Sequence, residues 1–288
     1  MKKIFEADTA NELYRQLIRA VDQTPDYKAS PRGLEVLEKV GTVAILTNPR
    51  ECLIDLSARK LNYRYAAIEK LEYLWGKHDY ERLTAYNSNL GWVKGELGYF
   101  DGNYAQRFNY WLDHIYLLLK KDPDSRQAVV NIYDSISRHQ SSKDIPCTLT
   151  LQFLIREGKL NLITNMRSND LLWGFPYDIN AFCFIQEVMA KWLNVELGYY
   201  QHNVGSTHIY TKPEENYSTL MKTSNSWKQD GVKNPIWNLT YEETKEWLPK
   251  FFHMEERMRR LKQDEPNYLP PPLEAYFNLL KSKWIKEK

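Results

Sequence analysis

The sequence predicts a single α+β domain spanning residues 1–288. Three observations carry this. A strand–turn–strand pattern at residues 148–166 leads into a long helical pattern at 179–193. Helical and strand patterns alternate irregularly along the chain, with no repeat, low-complexity block or clean linker. Hydrophobic residues make up 43% of the 288, enough for one large core able to hold a deep pocket.

Taken in order, Asp8-Thr9-Ala10-Asn11-Glu12 reads as a capping box with Thr9 as N-cap. Leu13, Leu17, Ile18 and Val21 then recur at helical spacing, and Pro25 ends that helix. Ser30-Pro31-Arg32-Gly33 is a turn. Residues 36–46, rich in β-branched side chains, read as one or two strands. Tyr63, Ala67, Leu71 and Leu74 mark a helix over 63–74. Residues 86–103 mix Asn, Gly and aromatics without a period and read as a long functional loop. A helix over 108–119, closed by Lys120 and Lys121, precedes a strand over 128–133. The hairpin pairs 148–155 with 160–166 around Arg156-Glu157-Gly158-Lys159. Phe182, Ile185, Val188, Met189 and Trp192 make 179–193 a buried helix. Residues 197–200 and 207–210 read as two further strands. After Pro266, Pro270, Pro271 and Pro272 the tail is a short amphipathic segment.

Composition excludes several functions. With 39 Lys plus Arg against 37 Asp plus Glu, the net charge of +2 is too balanced for a general nucleic-acid binder. The chain has no apolar run of about 18 residues, so no membrane span is expected. Cys52, Cys147 and Cys183 are odd in number and lack a CxxC spacing, which fits a reducing compartment. Acidic residues in Met-Lys-Lys-Ile-Phe-Glu-Ala-Asp argue against a signal peptide, so a cytoplasmic protein is expected. Aromatics at 14% serve either core packing or the stacking of flat rings.

Several residues could carry chemistry. Cys147 follows Pro146 at the start of a strand. It is either a nucleophile activated by nearby positive charge, Arg126 and Arg167 being candidates, or a packed core thiol. Arg167-Ser168-Asn169-Asp170 directly follows the hairpin. It suits a phosphate, or is a surface turn with an ordinary Arg167–Asp170 ion pair. Asp178 reads first as an N-cap for a helix beginning at Ile179. His208 and Tyr210 share one face of a strand, where they hold a sugar hydroxyl or pack as half-buried aromatics. None of these signals is specific alone.

Their order and spacing are. Pro146-Cys147, Gln152-Phe153, Gly158-Lys159-Leu160, Arg167-Ser168-x-Asp170, Gly174-x-Pro176 and Gly205-x-x-His208-Ile209-Tyr210 together resemble the thymidylate synthase superfamily. Asp122-Pro123-Asp124-Ser125-Arg126 resembles that family's phosphate-binding arginine segment. The resemblance covers about residues 30 to 212 and is strongest from 122 to 210.

The resemblance implies a three-layer α+β fold whose mixed sheet forms a homodimer interface. It implies a pyrimidine nucleoside monophosphate as substrate and 5,10-methylenetetrahydrofolate as cofactor, with Cys147 adding to C6 of the base. Glu69, seven residues before Gly76, aligns with the catalytic glutamate that orders water and moves protons, and Glu72 is a second candidate one helical turn away. Arg32, Arg167 and Ser168 would hold the phosphate, joined by Arg126 from the other subunit. The synthases carry a second arginine where Gln127 stands. His208 and Tyr210 would hold the 3′-hydroxyl, Tyr104 would lie beside the base, and Trp92 would line the folate site. Asp170 and Asn180 are supporting residues for substrate, and Asp170 for folate.

Four departures from the synthases resemble the phage deoxycytidylate hydroxymethylases. Thr148 stands for His after the Pro-Cys pair, Ser206 for Asp after Gly205, and Asp178 for Asn. The tail ending Trp284-Ile285-Lys286-Glu287-Lys288 has no counterpart of the synthase segment that folds over the folate. Cytosine offers an amino donor and an N3 acceptor, which a carboxyl group complements. A wetter site would let water add to the C5 methylene. The expected product is therefore 5-hydroxymethyl-dCMP. The competing readings are a CMP hydroxymethylase of a nucleoside-antibiotic or thiamine-analogue pathway, and a dUMP synthase or hydroxymethylase. A cysteine hydrolase using Cys147 and His208 fits the residue types but not the surrounding motifs, and joint retention of Cys147, Arg167 and His208 argues against a non-catalytic relative.

Overall fold

The computed structural model describes residues 2–93, 102, 104–133, 145–264 and 268–285, with the side chains of residues 91–93 and 109 outside the description. The elements run β1 (Ile4–Ala7), α1 (Ala10–Gln23), β2 (Tyr27–Ala29), β3 (Val36–Leu46), α2 (Tyr63–Trp75), α3 (Tyr80–Tyr86) and α4 (Ala105–Lys121). They continue β4 (Val129–Asn131), β5 (Thr148–Arg156), β6 (Lys159–Asp170), α5 (Phe175–Leu193), β7 (Glu196–Tyr210), α6 (Glu214–Asn225), α7 (Tyr241–Leu261) and α8 (Pro271–Lys281).

The strands form one seven-stranded mixed sheet in the order β1-β3-β7-β6-β5-β4, with β2 added to β3. The β5–β6 hairpin forms as expected, Arg156 facing Lys159 across a turn in which Glu157 and Gly158 both take positive φ. β6 and β7 are parallel, so a crossover must join them, and α5 is that crossover. Its residues are buried nearly all round, as befits a helix packed between the sheet and the helices α2 and α4. Each fully buried Phe, Ile or Met there contributes about 1.5–3 kcal/mol.

The α+β class holds, and several elements differ in extent from the sequence pattern. α5 begins at Phe175 with Pro176 in its first turn, four residues before Ile179. Residues 197–200 and 207–210 are two ends of one 15-residue strand, β7. Only half of the first capping box forms. Thr9 accepts from the Glu12 N–H at 3.2 Å, while the Glu12 carboxylate turns to Arg15 at 2.8 Å. Helices α3, α6 and α7 were not legible, although Thr240 and Glu243 close a full capping box on α7. The long loop expected over 86–103 is a helical turn at Ser88–Val93 in its first part, and most of the rest lies outside the described residues.

Candidate active site

One end of the sheet gathers the reactive side chains. Cys147 stands one residue before β5, partly buried, whereas Cys52 and Cys183 are fully buried. Its backbone is held from the neighbouring strand, where the Arg167 N–H donates to the Cys147 carbonyl at 2.9 Å. The Arg167 guanidinium curls back over the same segment, donating from Nε to Pro146 O at 3.0 Å and from Nη2 to Ile145 O at 2.9 Å. On the other side, the Thr148 N–H donates to the Tyr104 hydroxyl at 3.3 Å. Burial, then the charges of Cys147 and Asp178, raises the Tyr104 phenol, so it stays a neutral donor beside the thiol.

Two carboxyl groups, on α2 and α5, lie close enough for the charge of one to act on the other. Glu69 on α2 accepts from Tyr65, one turn earlier on the same helix face. Burial pushes its carboxyl up to about 7 against the hydrogen bonds of Tyr65 and Tyr73. Asp178 lies one turn into α5. Burial, then the Glu69 charge, pushes it up to about 8, while an Asn169 N–H pulls the other way. That bond, from Asn169 Nδ2 to Asp178 Oδ2 at 2.7 Å, ties the end of β6 to the start of α5. Gly174 makes it possible, because a Cβ there would meet Asn169 Nδ2 at 2.8 Å. Two acids poised near neutrality, beside a thiol, suit proton transfer at physiological pH.

A polar rim completes this end. Ser168 pairs with Ser206, and Asp170 with His208, in the β6–β7 register. The His208 and Tyr210 rings meet edge-on at 5.1 Å. Burial raises the Tyr210 phenol, and the hydrogen-bonding Arg32 side chain lowers it again, which brings Arg32 to this same corner. Arg32 itself is exposed and takes φ 55°, a left-handed conformation that a non-glycine residue adopts at a cost.

Two comparisons with known proteins agree with this geometry. The thymidylate synthase family model matches residues 12–251. The chain belongs to the thymidylate synthase family. A deoxyuridylate hydroxymethyltransferase of Bacillus phage SP01 is 34% identical over 224 residues, 72% of this chain and 58% of that protein. A second protein of that name, from Pseudomonas phage M6, is 30% identical over 182 residues, 60% of this chain and 51% of its own. The thymidylate synthase of Bacillus licheniformis is 25% identical over 254 residues, 81% of this chain and 87% of its own. The chain thus spans little more than half the length of the two phage relatives.

Against the family pattern, the structure brings together Cys147, Glu69, Asp178, Tyr104, Arg32, Arg167, Ser168, Asp170, His208 and Tyr210. One other expectation differs, that for Asn180, while Arg126 was expected at the partner subunit's site. Asn180 faces away from Asp178, and its buried Oδ1 accepts from Lys70 at 3.4 Å and Asn234 at 2.8 Å. Two residues on from Asp178 means roughly 200° around the helix, so both cannot face one site. Arg126 is exposed, and its carbonyl accepts from the amide of Gln152, in the middle of β5, at 3.0 Å. The Trp92 side chain lies outside the described residues.

Several bland alternatives fall. Asp178 does not cap a helix at Ile179, because α5 starts earlier. Arg167 and Asp170 do not form a simple turn ion pair. Arg167 holds carbonyls, and Asp170 accepts the N–H groups of Leu172, Trp173 and Gly174 at 2.8, 2.6 and 3.1 Å. Glu72 sits in a buried ion network with Arg82, away from the thiol. The sequence reading left out Asn169, Tyr65, Tyr73 and Gly174. The i,i+4 spacing of Tyr65 and Glu69 is the signal that could have found the first of the tyrosines.

Proposed function

We propose that the protein hydroxymethylates C5 of dCMP, giving 5-hydroxymethyl-dCMP, and works as a cytoplasmic homodimer. Family membership supports the C5 one-carbon chemistry, and the names of the two phage relatives favour hydroxymethyl over methyl transfer. The observation that carries the base assignment is Asp178, a buried carboxyl group near neutrality at the position where the synthases have Asn. Its oxygens can accept from the cytosine amino group and, once protonated, donate to N3.

Cys147 is the nucleophile. Its thiolate adds to C6, which turns C5 into a carbon nucleophile; it leaves again, restoring the C5–C6 double bond, once the C5 proton is lost and water has added to the C5 methylene. Glu69 takes and returns protons around the base, a role suited to a carboxyl near 7. Methylenetetrahydrofolate supplies the one-carbon unit when bound. Asp170, with one acceptor position left over from its three backbone bonds, and the half-exposed ring of Trp173 fit a flat ring bearing N–H groups. Thr148 Oγ1, buried with no hydrogen-bond partner among the described residues, can hold a water where the synthases have His. Net, C5–H becomes C5–CH2OH, one water is consumed, and tetrahydrofolate leaves unoxidised. Arg32, Arg167 and Ser168 take the phosphate, with Arg126 offered to the partner subunit. His208 and Tyr210 take the sugar hydroxyl.

The second reading is dUMP, favoured by the names of the same two relatives. Incubating the protein with methylenetetrahydrofolate and dCMP, CMP or dUMP, and weighing the products, separates the readings. The expected result is a hydroxymethyl adduct on dCMP. Asp178→Asn should swing preference towards dUMP by about tenfold to hundredfold, the cost of about 1–3 kcal/mol for a mismatched buried polar group. A methyl adduct on dUMP would sink the proposal.

A further inference from the structure

Behind Asp178 runs a line of buried polar side chains. The Tyr200 hydroxyl lies 2.6 Å from His202 Nδ1, His202 Nε2 lies 3.1 Å from Asn169 Oδ1, and Asn169 Nδ2 lies 2.7 Å from Asp178 Oδ2. Tyr200 and His202 are both 0% exposed, and the His202 ring meets the Phe175 ring edge-on at 5.3 Å. Burial holds the imidazole down to about 3, so it is neutral and carries one ring proton.

The direction of every bond in this line follows from its far end. A phenol has one proton to give, and the hydrogen bond Tyr200 makes among the described residues is to His202 Nδ1. The buried Thr164 hydroxyl has no hydrogen-bond partner among the described residues, so it does not draw that proton away. Nδ1 therefore accepts, and the ring proton sits on Nε2. Nε2–H donates to Asn169 Oδ1, which turns the amide N–H towards Asp178. An oxygen that accepts an N–H is marked as the carbonyl oxygen of the acid, so the acid proton belongs on Oδ1.

We propose that Tyr200 and His202, acting through Asn169, are positioning residues that fix which oxygen of Asp178 carries the proton, and so sharpen discrimination between cytosine and uracil. This rests on the reading that Asp178 faces the base. A neutral carboxylic acid has a donor on one oxygen and an acceptor on the other. With the proton free to change oxygens, it matches both the N3-acceptor, amino-donor edge of cytosine and the N3–H, O4 edge of uracil. With the proton fixed, it matches one.

Tyr200→Phe removes one hydroxyl and frees the imidazole to take either tautomer. His202→Phe keeps a ring against Phe175 and cuts the line. The kcat/KM ratio for the preferred over the other base should fall towards one by about threefold to tenfold in each variant, the value of one directed hydrogen bond. A merely structural role would lower both substrates alike. Nitrogen-15 spectra of the wild-type protein should give His202 as the Nε2–H tautomer, and of Tyr200→Phe a mixture. An Nδ1–H tautomer in the wild type, or an unchanged base ratio in both variants, would overturn the proposal. Asp178→Asn separates the two failures. If it shifts base preference while the relay variants do not, only the relay is wrong. If it shifts nothing, the reading of Asp178 falls and the relay with it.

Discussion

Glu69 and Glu72 stand on the same helix, α2, one turn apart, and meet opposite surroundings. Glu72, 0% exposed, is 3.0 Å from Arg82 Nη1 and 3.3 Å from His78 Nδ1. Arg82 also reaches Glu255 at 2.9 Å, and Arg259 grips the other Glu255 oxygen at 2.9 Å. The Arg82 guanidinium lies over the Phe252 ring at 4.6 Å, which binds α2, α3 and α7 together. Burial raises Glu72, with His78 and Arg82 pulling in the opposite direction. Glu69 has tyrosines for partners and a second carboxyl group for a neighbour. One cluster is charged and balanced, and the other is poised to gain or lose a proton. The difference teaches that a buried carboxyl points to chemistry when no cation answers it, and to architecture when one does.

The largest test of that contrast is Glu69→Gln. It should lower kcat by about a hundredfold or more, the usual worth of a positioned acid–base group. Urea unfolding should find its stability no lower than wild type at pH 8. A stability loss with kcat intact would erase the distinction. Arg82→Met attacks the other cluster. Glu72 is then left with His78 and Glu255 with Arg259, and losing the cation they share should cost about 3–5 kcal/mol in urea unfolding. Molecules that remain folded should keep their kcat. The smallest effect is in pH. Glu69 and Asp178 lie at about 7 and about 8 when folded, above their ordinary values of 4.5 and 3.8. The folded state thus holds protons that the unfolded chain releases earlier, and this contribution, full below about pH 4, is lost as pH rises through 7 to 8. Stability of the wild type should therefore decline between pH 5 and 8, and a Glu69→Gln/Asp178→Asn variant should show a flatter curve in urea midpoints.

What could be read from residues alone follows from how local the signals were. The hairpin around Gly158 and the apolar face of α5 rest on strict periodicity, and both formed. Six separated motifs located the end of the sheet where Cys147, Arg167, Asp170 and His208 meet. β7 was read as two pieces because Gln201-His202-Asn203 interrupts its apolar pattern. Those side chains satisfy one another instead, Gln201 donating to Asn203 at 2.8 Å and His202 joining Asn169. The polar residues that hid the strand bond to one another and to β6, through Asn165 and Asn169. α7 escaped because it carries Pro249 within a charge-rich run, and tertiary packing of Leu248, Phe251 and Phe252 outweighs the lost bond. Asn180 was misjudged because its type suits a site, while its helical phase turns it elsewhere.

Gly174 has a wider consequence. Its bare backbone admits the Asn169 amide to the Asp178 carboxyl, with no space for even a methyl group. On the proposed role of Asp178, base preference is therefore guarded by a residue that touches no base. Exchanging Asp178 for another polar group leaves the passage open, whereas any change at Gly174 blocks it whatever stands at 178. Attempts to redirect the enzyme to a new pyrimidine have one position that must stay empty before the others can vary.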